Sequence, residues 1–282
     1  MNIEKILPKE GPSIEEVEKY IKKYSNEIIV IKCGGSVLID ENLFNQFIED
    51  ISIVNKLGLS SIVIHGGGKN IKKKLEKQNI ETRFINGLRV TDERTIKIVE
   101  EALLELNFEI LKNINNSQAN AQSVTPKSGN IIKIAPEKKE LGFVGTPKEI
   151  NKDLLLNIIK EKIVPIIMPM GTGDDGNIYN INADVAAGAV AKRLNSRRLL
   201  LMTDVEGLLD KNKKLILEIN SEVAKKMLEE KTISGGMIPK INTCIDAVEN
   251  GVTGVVIVDG RKPHSILFEL FSDKGSGTLI RK

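Results

Sequence analysis

At 282 residues, with 41 Lys+Arg against 38 Asp+Glu and a formal net charge of +3, the chain can bury a sizeable core but is too balanced in charge for a dedicated nucleic-acid binder. Aromatic residues make up 4% with no tryptophan, so base-stacking platforms are not expected, and Cys33 and Cys244 give neither a metal spacing nor a disulfide framework. No apolar run approaches the roughly 20 residues of a bilayer span, and the N-terminus has no basic stretch leading into an apolar one; the expected setting is soluble and cytoplasmic, away from membrane.

The first predicted element is a helix. Ser13 and Glu16 form a capping box behind Pro12, and Ile14, Val17, Ile21 and Tyr24 share one face. This extension covers 1–27, and its apolar stripe packs either on its own domain or on a partner subunit. Ile28, Ile29, Val30 and Ile31 then read as a strand buried on both faces, running into Lys32, a spacer and Gly34-Gly35. Such a turn brings bare N–H groups and an ammonium together, which suits phosphate. The same pattern also fits a plain βα turn that starts with a lysine. An amphipathic helix over 40–57 follows, closed by Gly58, and then a strand over 61–65 opens onto Gly66-Gly67-Gly68-Lys69. Neither glycine turn matches G-x-x-x-x-G-K-[ST] or G-x-G-x-x-G.

Residues 86–90 read as a loop carrying Arg89, capped by Thr91 or Asp92 into a helix reaching about 115, with Ile96, Val99, Leu103, Leu106 and Ile110 on one face. Residues 128–145 look like hairpins, and Thr146-Pro147-Lys148-Glu149 reads as a helix start. A strand over 163–168 contains a proline suited to an edge, and a polar glycine loop covers 171–177. Asn180 to Asp184 lead into a small-residue helix over 183–194. The strand 199–203 ends in Thr203-Asp204-Val205-Glu206-Gly207. Helices from Ser221, from the 233–240 stretch to Gly251 and from Pro263 flank a strand over 255–258, and 277–280 reads as a final edge strand. Repeated alternation of this kind gives an α/β fold with a mainly parallel sheet, read as two lobes of one continuous sheet.

Ligands of open α/β sheets bind beyond the carboxyl ends of the strands, so Lys32 to Gly35, Gly66 to Gly68 and Asp204 to Gly207 are expected to line one site. Lys32 and Lys240 each neighbour a glycine pair. Of the two histidines, His65 reads as a local hydrogen-bonding residue, and no serine elbow or H-E-x-x-H is present. Lysines, glycine turns and an arginine suit phosphoryl transfer, where positioning and charge neutralisation dominate. Arg89 offers a fork for a carboxylate, and Asn180 and Asn182 supply amides. A carboxylate acceptor is already ionised at neutral pH, so no general base is needed.

In order, KCGGS (32–36), HGGGK (65–69), NGLRVT (86–91), NINAD (180–184), TDVEG (203–207) and GGMIPK (235–240) make the chain resemble the amino acid kinase family, and within it the members acting on N-acetyl-L-glutamate. The resemblance runs from about residue 28 to the end. It implies a three-layer sandwich around a central, mainly parallel sheet, with an amino-acid-binding lobe over 28–178 and a nucleotide-binding lobe over 179–282. The implied reaction is ATP-dependent phosphorylation of the side-chain carboxylate, within arginine biosynthesis. Lys32 and Lys240 would stabilise the phosphoryl group, with Asp184 orienting both. Gly67, Gly68, Arg89, Asn180 and Asn182 would bind the substrate. Gly34, Gly35, Thr203, Asp204, Val205, Gly207, Leu209, Ser234 and Gly236 would bind the nucleotide, with Mg2+ carried on the ATP phosphates rather than by a metal site of the protein. The N-terminal helix and the 264–278 pattern resemble arginine-inhibited members, in which Glu269 and Gly275 would contact arginine and the helices would link dimers into a hexamer. Met168-Pro169-Met170 departs from the smaller residues expected there. Two other readings stay open: a kinase of a carrier-protein-bound glutamate or aminoadipate, and a non-catalytic relative that binds a nucleotide or effector.

Overall fold

The computed structural model describes residues 3–129 and 131–282; Met1 and Asn2 of the expected extension, and Asn130 within the 128–145 stretch, lie outside the described residues. The capping box is present: Ser13 Oγ accepts the Glu16 N–H and Glu16 Oε2 accepts the Ser13 N–H, each at 3.3 Å, opening α1 (Ile14–Tyr24). The β-branched run forms β1 (Ile28–Cys33), and Asp40 caps α2 (Glu41–Lys56). Then come β2 (Ser60–His65) and α3 (Gly68–Lys77). The 86–90 stretch is not an open loop. Asn86 and Gly87, at φ 50 and 81, turn a small hairpin of β3 (Phe84–Ile85) and β4 (Leu88–Arg89), as Asn-Gly pairs do.

Asp92 caps α4 (Glu93–Asn116), and β5 (Ala121–Val124), β6 (Ile132–Pro136) and β7 (Gly145–Ile150) follow. Here the predicted helix start at Thr146 fails: 146–149 lies in β7, and the next helix, α5 (Lys152–Lys160), is capped by Asn151. Pro147 is tolerated because β7 is an edge strand, paired to β6 through a register shift that leaves Lys148 unmatched. Next come β8 (Val164–Ile167), β9 (Met170–Thr172), β10 (Ile178–Asn180) and α6 (Ala183–Arg193). Much of the glycine stretch at 171–177 is therefore a hairpin. The chain ends with β11 (Arg198–Thr203), β12 (Glu218–Asn220), α7 (Ser221–Glu229), α8 (Met237–Glu249), β13 (Val255–Asp259), α9 (Ser265–Phe271) and β14 (Gly277–Arg281).

Among the described residues, eight strands form a sheet in the order β12-β14-β13-β11-β1-β2-β8-β5, parallel throughout except between β13 and β14. Two edge readings are corrected. β14 lies inside β12, and β8 lies inside β5, with Pro165 placed ahead of the β8–β2 pairing so that no ladder bond is lost. A second sheet runs β10-β9-β6-β7. Alternate strand residues divide the core. Val30, Ile62, Ile64, Leu199, Leu201 and Ile257 face α5, α6, α7 and α8, while Ile29, Ile31, Val63, Leu200, Met202 and Val258 face α1, α2, α4 and α9. Each such fully buried side chain contributes about 1.5–3 kcal/mol. The three-layer α/β expectation is borne out, and the carboxyl ends of β1, β2 and β11 meet at the middle of the large sheet.

Candidate active site

Lys32 is the penultimate residue of β1, and Asp184 stands in the first turn of α6. There Asn182 Oδ1 accepts the N–H of Asp184 at 2.9 Å and of Val185 at 3.3 Å, setting where the helix begins. Lys240 sits in the first turn of α8, where the helix dipole disfavours a cation, so it needs a counter-charge. Asp184 supplies it: Lys240 Nζ donates to Asp184 Oδ2 at 2.6 Å, and Lys32 Nζ stands 3.0 Å from Oδ1. Close packing makes this possible. A Cβ on Gly188 of α6 would come 2.9 Å from Thr243 Cγ2 of α8. Burial alone would raise the Asp184 carboxyl, but the two ammonium charges overcome it and hold the group well below the usual carboxylate range. Burial lowers Lys240 in spite of Asp184.

The glycine turns are there because side chains will not fit. A Cβ on Gly34 would lie 2.7 Å from Lys32 Nζ, and Gly35, at φ +66, faces the Asp204 carboxylate. Asp204 Oδ1 in turn accepts the Ser36 N–H at 2.9 Å and the Ser36 hydroxyl at 2.7 Å, and Lys69 Nζ stands 3.7 Å from Oδ2. A Cβ on Gly67 would strike Leu103 of α4. His65 is fully buried, hydrogen-bonded to Gly66 O and to Asn107, as the local reading expected.

Arg89, 8% exposed, donates to Gly68 O at 3.2 Å and Thr82 Oγ1 at 3.3 Å and lies 4.8 Å from the Phe84 ring centroid. It has no acidic partner among the described residues, and burial lowers its pKa. Lys32, Gly34, Gly35, Gly66, Gly67, Gly68, Arg89, Asn180, Asn182 and Asp184 all line one cleft of about 220 Å3, with Lys240 reaching it through Asp184.

The remaining predicted residues lie outside that cleft. Thr203 ends β11 and Asp204, Val205, Gly207 and Leu209 follow it, with Val205 and Leu209 39% and 40% exposed, and Ser234 and Gly236 are exposed ahead of α8. Glu269 and Gly275 are neighbours: Glu269 Oε2 accepts the Ser276 N–H at 2.8 Å, and burial raises its carboxyl. Among the described residues no three His, Cys, Asp or Glu stand where they could hold a metal ion. Sequence reading did not single out Ser36, Thr82 or Phe84. It also missed Asn107, whose signal was a polar residue on the apolar stripe of α4.

An anion-binding cleft of lysines, arginine and glycine turns, at the carboxyl ends of a doubly covered parallel sheet, is the equipment of a phosphotransferase. The chain belongs to the amino acid kinase family, whose model matches residues 27–259. It is 56% identical over 277 residues to the acetylglutamate kinase of Pelagibacter ubique, covering 98% of this chain and 96% of that one. To the acetylglutamate kinase of Clostridioides difficile it is 44% identical over 287 residues, covering 100% and 99%. Among solved structures, N-acetylglutamate synthase from Neisseria gonorrhoeae, complexed with coenzyme A and N-acetyl-glutamate, shares the fold with a TM-score of 0.87 at 23% identity. That match covers 95% of this chain, which spans 62% of the length of the synthase chain.

Proposed function

We infer that the protein transfers the γ-phosphoryl group of ATP to the side-chain carboxylate of N-acetyl-L-glutamate, forming N-acetyl-L-glutamyl 5-phosphate for arginine biosynthesis in the cytoplasm. The observation that carries this reading is Arg89, a buried guanidinium without an acidic partner among the described residues, in the cleft that also holds Lys32 and Asp184. A buried charge of that kind calls for an anion, and its fork matches a carboxylate. The relatives named acetylglutamate kinase over nearly the whole chain supply the substrate's identity.

In this reading Arg89 and the Asn180 and Asn182 amides hold the acyl amino acid, and the N–H groups of Gly67 and Gly68 meet its reacting end. The acceptor is ionised, with a pKa of about 4, so the obstacle is repulsion between two anions rather than removal of a proton. Lys32 and Lys240 offset that repulsion from either side. Asp184, held ionised, fixes the two ammoniums without becoming an acid or base itself. Gly34 and Gly35 offer N–H groups to the phosphates. Thr203, Asp204, Val205, Gly207, Leu209, Ser234 and Gly236 take the nucleotide, and Mg2+ arrives on its phosphates as part of the substrate. Residues 28–178 thus serve the amino acid and 179–282 the nucleotide, with the Asn180 to Asp184 stretch as the seam.

The proposal extends to regulation. Glu269, a half-buried carboxyl beside Gly275 on the helix that packs against α1, suits a cationic effector such as arginine, acting on a dimer or on a hexamer built as a trimer of dimers. The test is ADP release from Mg-ATP with N-acetyl-L-glutamate, glutamate and N-acetylaspartate, with and without arginine. Turnover confined to the acetylated glutamate supports the substrate assignment, and turnover on none of the three overturns it. Activity indifferent to millimolar arginine removes the effector alone.

A further inference from the structure

His65 plays no part in the proposed reaction, yet every polar atom of its ring is engaged. Asn107 of α4, also fully buried, places its amide nitrogen 2.9 Å from the Ile166 carbonyl of β8 and 3.0 Å from His65 Nε2, while its oxygen accepts the Ser123 hydroxyl of β5. A carbonyl oxygen only accepts, so the Ile166 contact fixes which end of Asn107 is the NH2 group. Its second hydrogen then points at Nε2, which must be bare. The ring proton therefore sits on Nδ1, 2.8 Å from the Gly66 carbonyl. Burial pushes the imidazole down to about 4, so the ring is neutral at physiological pH and confined to this one tautomer.

The same bond fixes a peptide plane. Gly66 donates its N–H to Cys33 O at 2.6 Å while its carbonyl is held by His65. No peptide bond among the described residues is cis, and in a trans unit the N–H points opposite to the C=O. The Gly67 N–H therefore points away from the buried ring, toward the cleft that Gly66, Gly67 and Gly68 line. We propose that His65, locked by Asn107, is a positioning residue that presents the Gly67 N–H to the anionic groups bound in the cleft. The assignment rests on the phosphotransferase reading of that cleft. A donor already aimed costs no reorganisation when charge moves, and here the aim comes from β2, β5, β8 and α4 rather than from the loop itself.

The chain has two histidines, so a 15N-histidine-labelled sample gives two imidazole patterns. One ring should be neutral, protonated on Nδ1 and unchanged between about pH 5 and 8, and it should vanish in His65→Asn. In kinetics with N-acetyl-L-glutamate, His65→Leu, which removes the donor, should lower kcat about 10- to 100-fold. His65→Asn, whose amide nitrogen falls near the Nδ1 position, should recover most of that loss. If His65→Leu does not fold, Asn107→Ala carries the same kinetic test and should also give the ring mixed tautomers. A ring protonated on Nε2 overturns the proposal, and so does a folded His65→Leu with wild-type kcat. If the unaltered protein has no turnover, the phosphotransferase reading fails by itself, while the spectrum still decides the hydrogen-bond chain.

Discussion

Asp184 balances two ammonium groups within 3.0 Å, in a place where none of the three side chains is more than 16% exposed. Replacing it with asparagine leaves Lys32 and Lys240 facing each other uncompensated. Removing one partner of a buried ionic group typically costs about 3–5 kcal/mol, so Asp184→Asn should unfold at markedly lower denaturant concentration. Its kcat should fall by at least about 100-fold, because in the proposed reaction the two cations would lose the spacing by which both reach one phosphoryl group. The sign of the pH dependence follows from the depressed carboxyl. Its stabilisation is complete above the unfolded value of about 4 and is lost as pH falls through the lower folded value. The stability gap between wild type and variant should therefore hold at neutral pH and narrow only in acid, as urea unfolding at several pH values will measure.

At the scale of elements, α2 and α9 are joined by a buried pair. His264, in the left-handed region at φ 50 just ahead of α9, places Nδ1 2.7 Å from Asp50 Oδ1 of α2. Burial raises Asp50 to about 6, and the hydrogen bond that the His264 ring donates to the Asp50 carboxylate raises His264, with Glu49 and Glu10 adding to the effect. Both shifts make the folded chain hold protons that the unfolded chain releases. Stability from this pair is therefore present in mild acid and declines as pH rises from about 4 through neutrality. Urea midpoints at about pH 5.5 and pH 8 should differ less in an Asp50→Asn/His264→Asn double variant than in the wild type.

The elements also show what the sequence could reveal. Runs such as Ile28 to Ile31 and caps such as Ser13, Asp40 and Asn182 act locally, so β1, α1, α2 and α6 were legible. The strands β5 (Ala-Gln-Ser-Val) and β12 (Glu-Ile-Asn) exist only because neighbouring strands present their edges, and neither segment has an apolar pattern to announce it. Thr146-Pro147-Lys148-Glu149 has every local mark of a helix start and still forms a strand, because pairing with β6 overrides it. In the site, the lysines and glycines stood out by type and spacing. Ser36 and Asn107 did not, since their roles depend on partners 168 and 42 positions away.

Across the whole molecule, the two halves of the large sheet meet at β1 and β11, in register from Ile29 with Arg198 to Lys32 with Leu201. α1 packs against α9 over one face of that sheet. Val17 is fully buried, and Lys19 Nζ and Tyr20 Oη both bond Asp273 at 2.6 Å, a hydrogen bond that pushes the Tyr20 phenol up to about 12. No residue of α1 lines the cleft. Val17→Asp should therefore lower Tm by about 10 °C through a buried, unpaired carboxylate, while kcat and KM measured well below that Tm stay at wild-type values. A loss of turnover in the folded variant would show that α1 reaches the chemistry.

Three cations and one carboxylate converge on the cleft, and among the described residues Arg89 is the one without a protein counter-charge. Its field does not discriminate among small oxyanions. Sulfate, phosphate or citrate from a buffer will settle beside Arg89 and the lysines, raise the melting temperature by mass action and slow the reaction by competition. Rates measured in such buffers will understate the enzyme, and a melting shift produced by ATP or substrate should be compared with the shift produced by sulfate at equal ionic strength before it is credited to recognition.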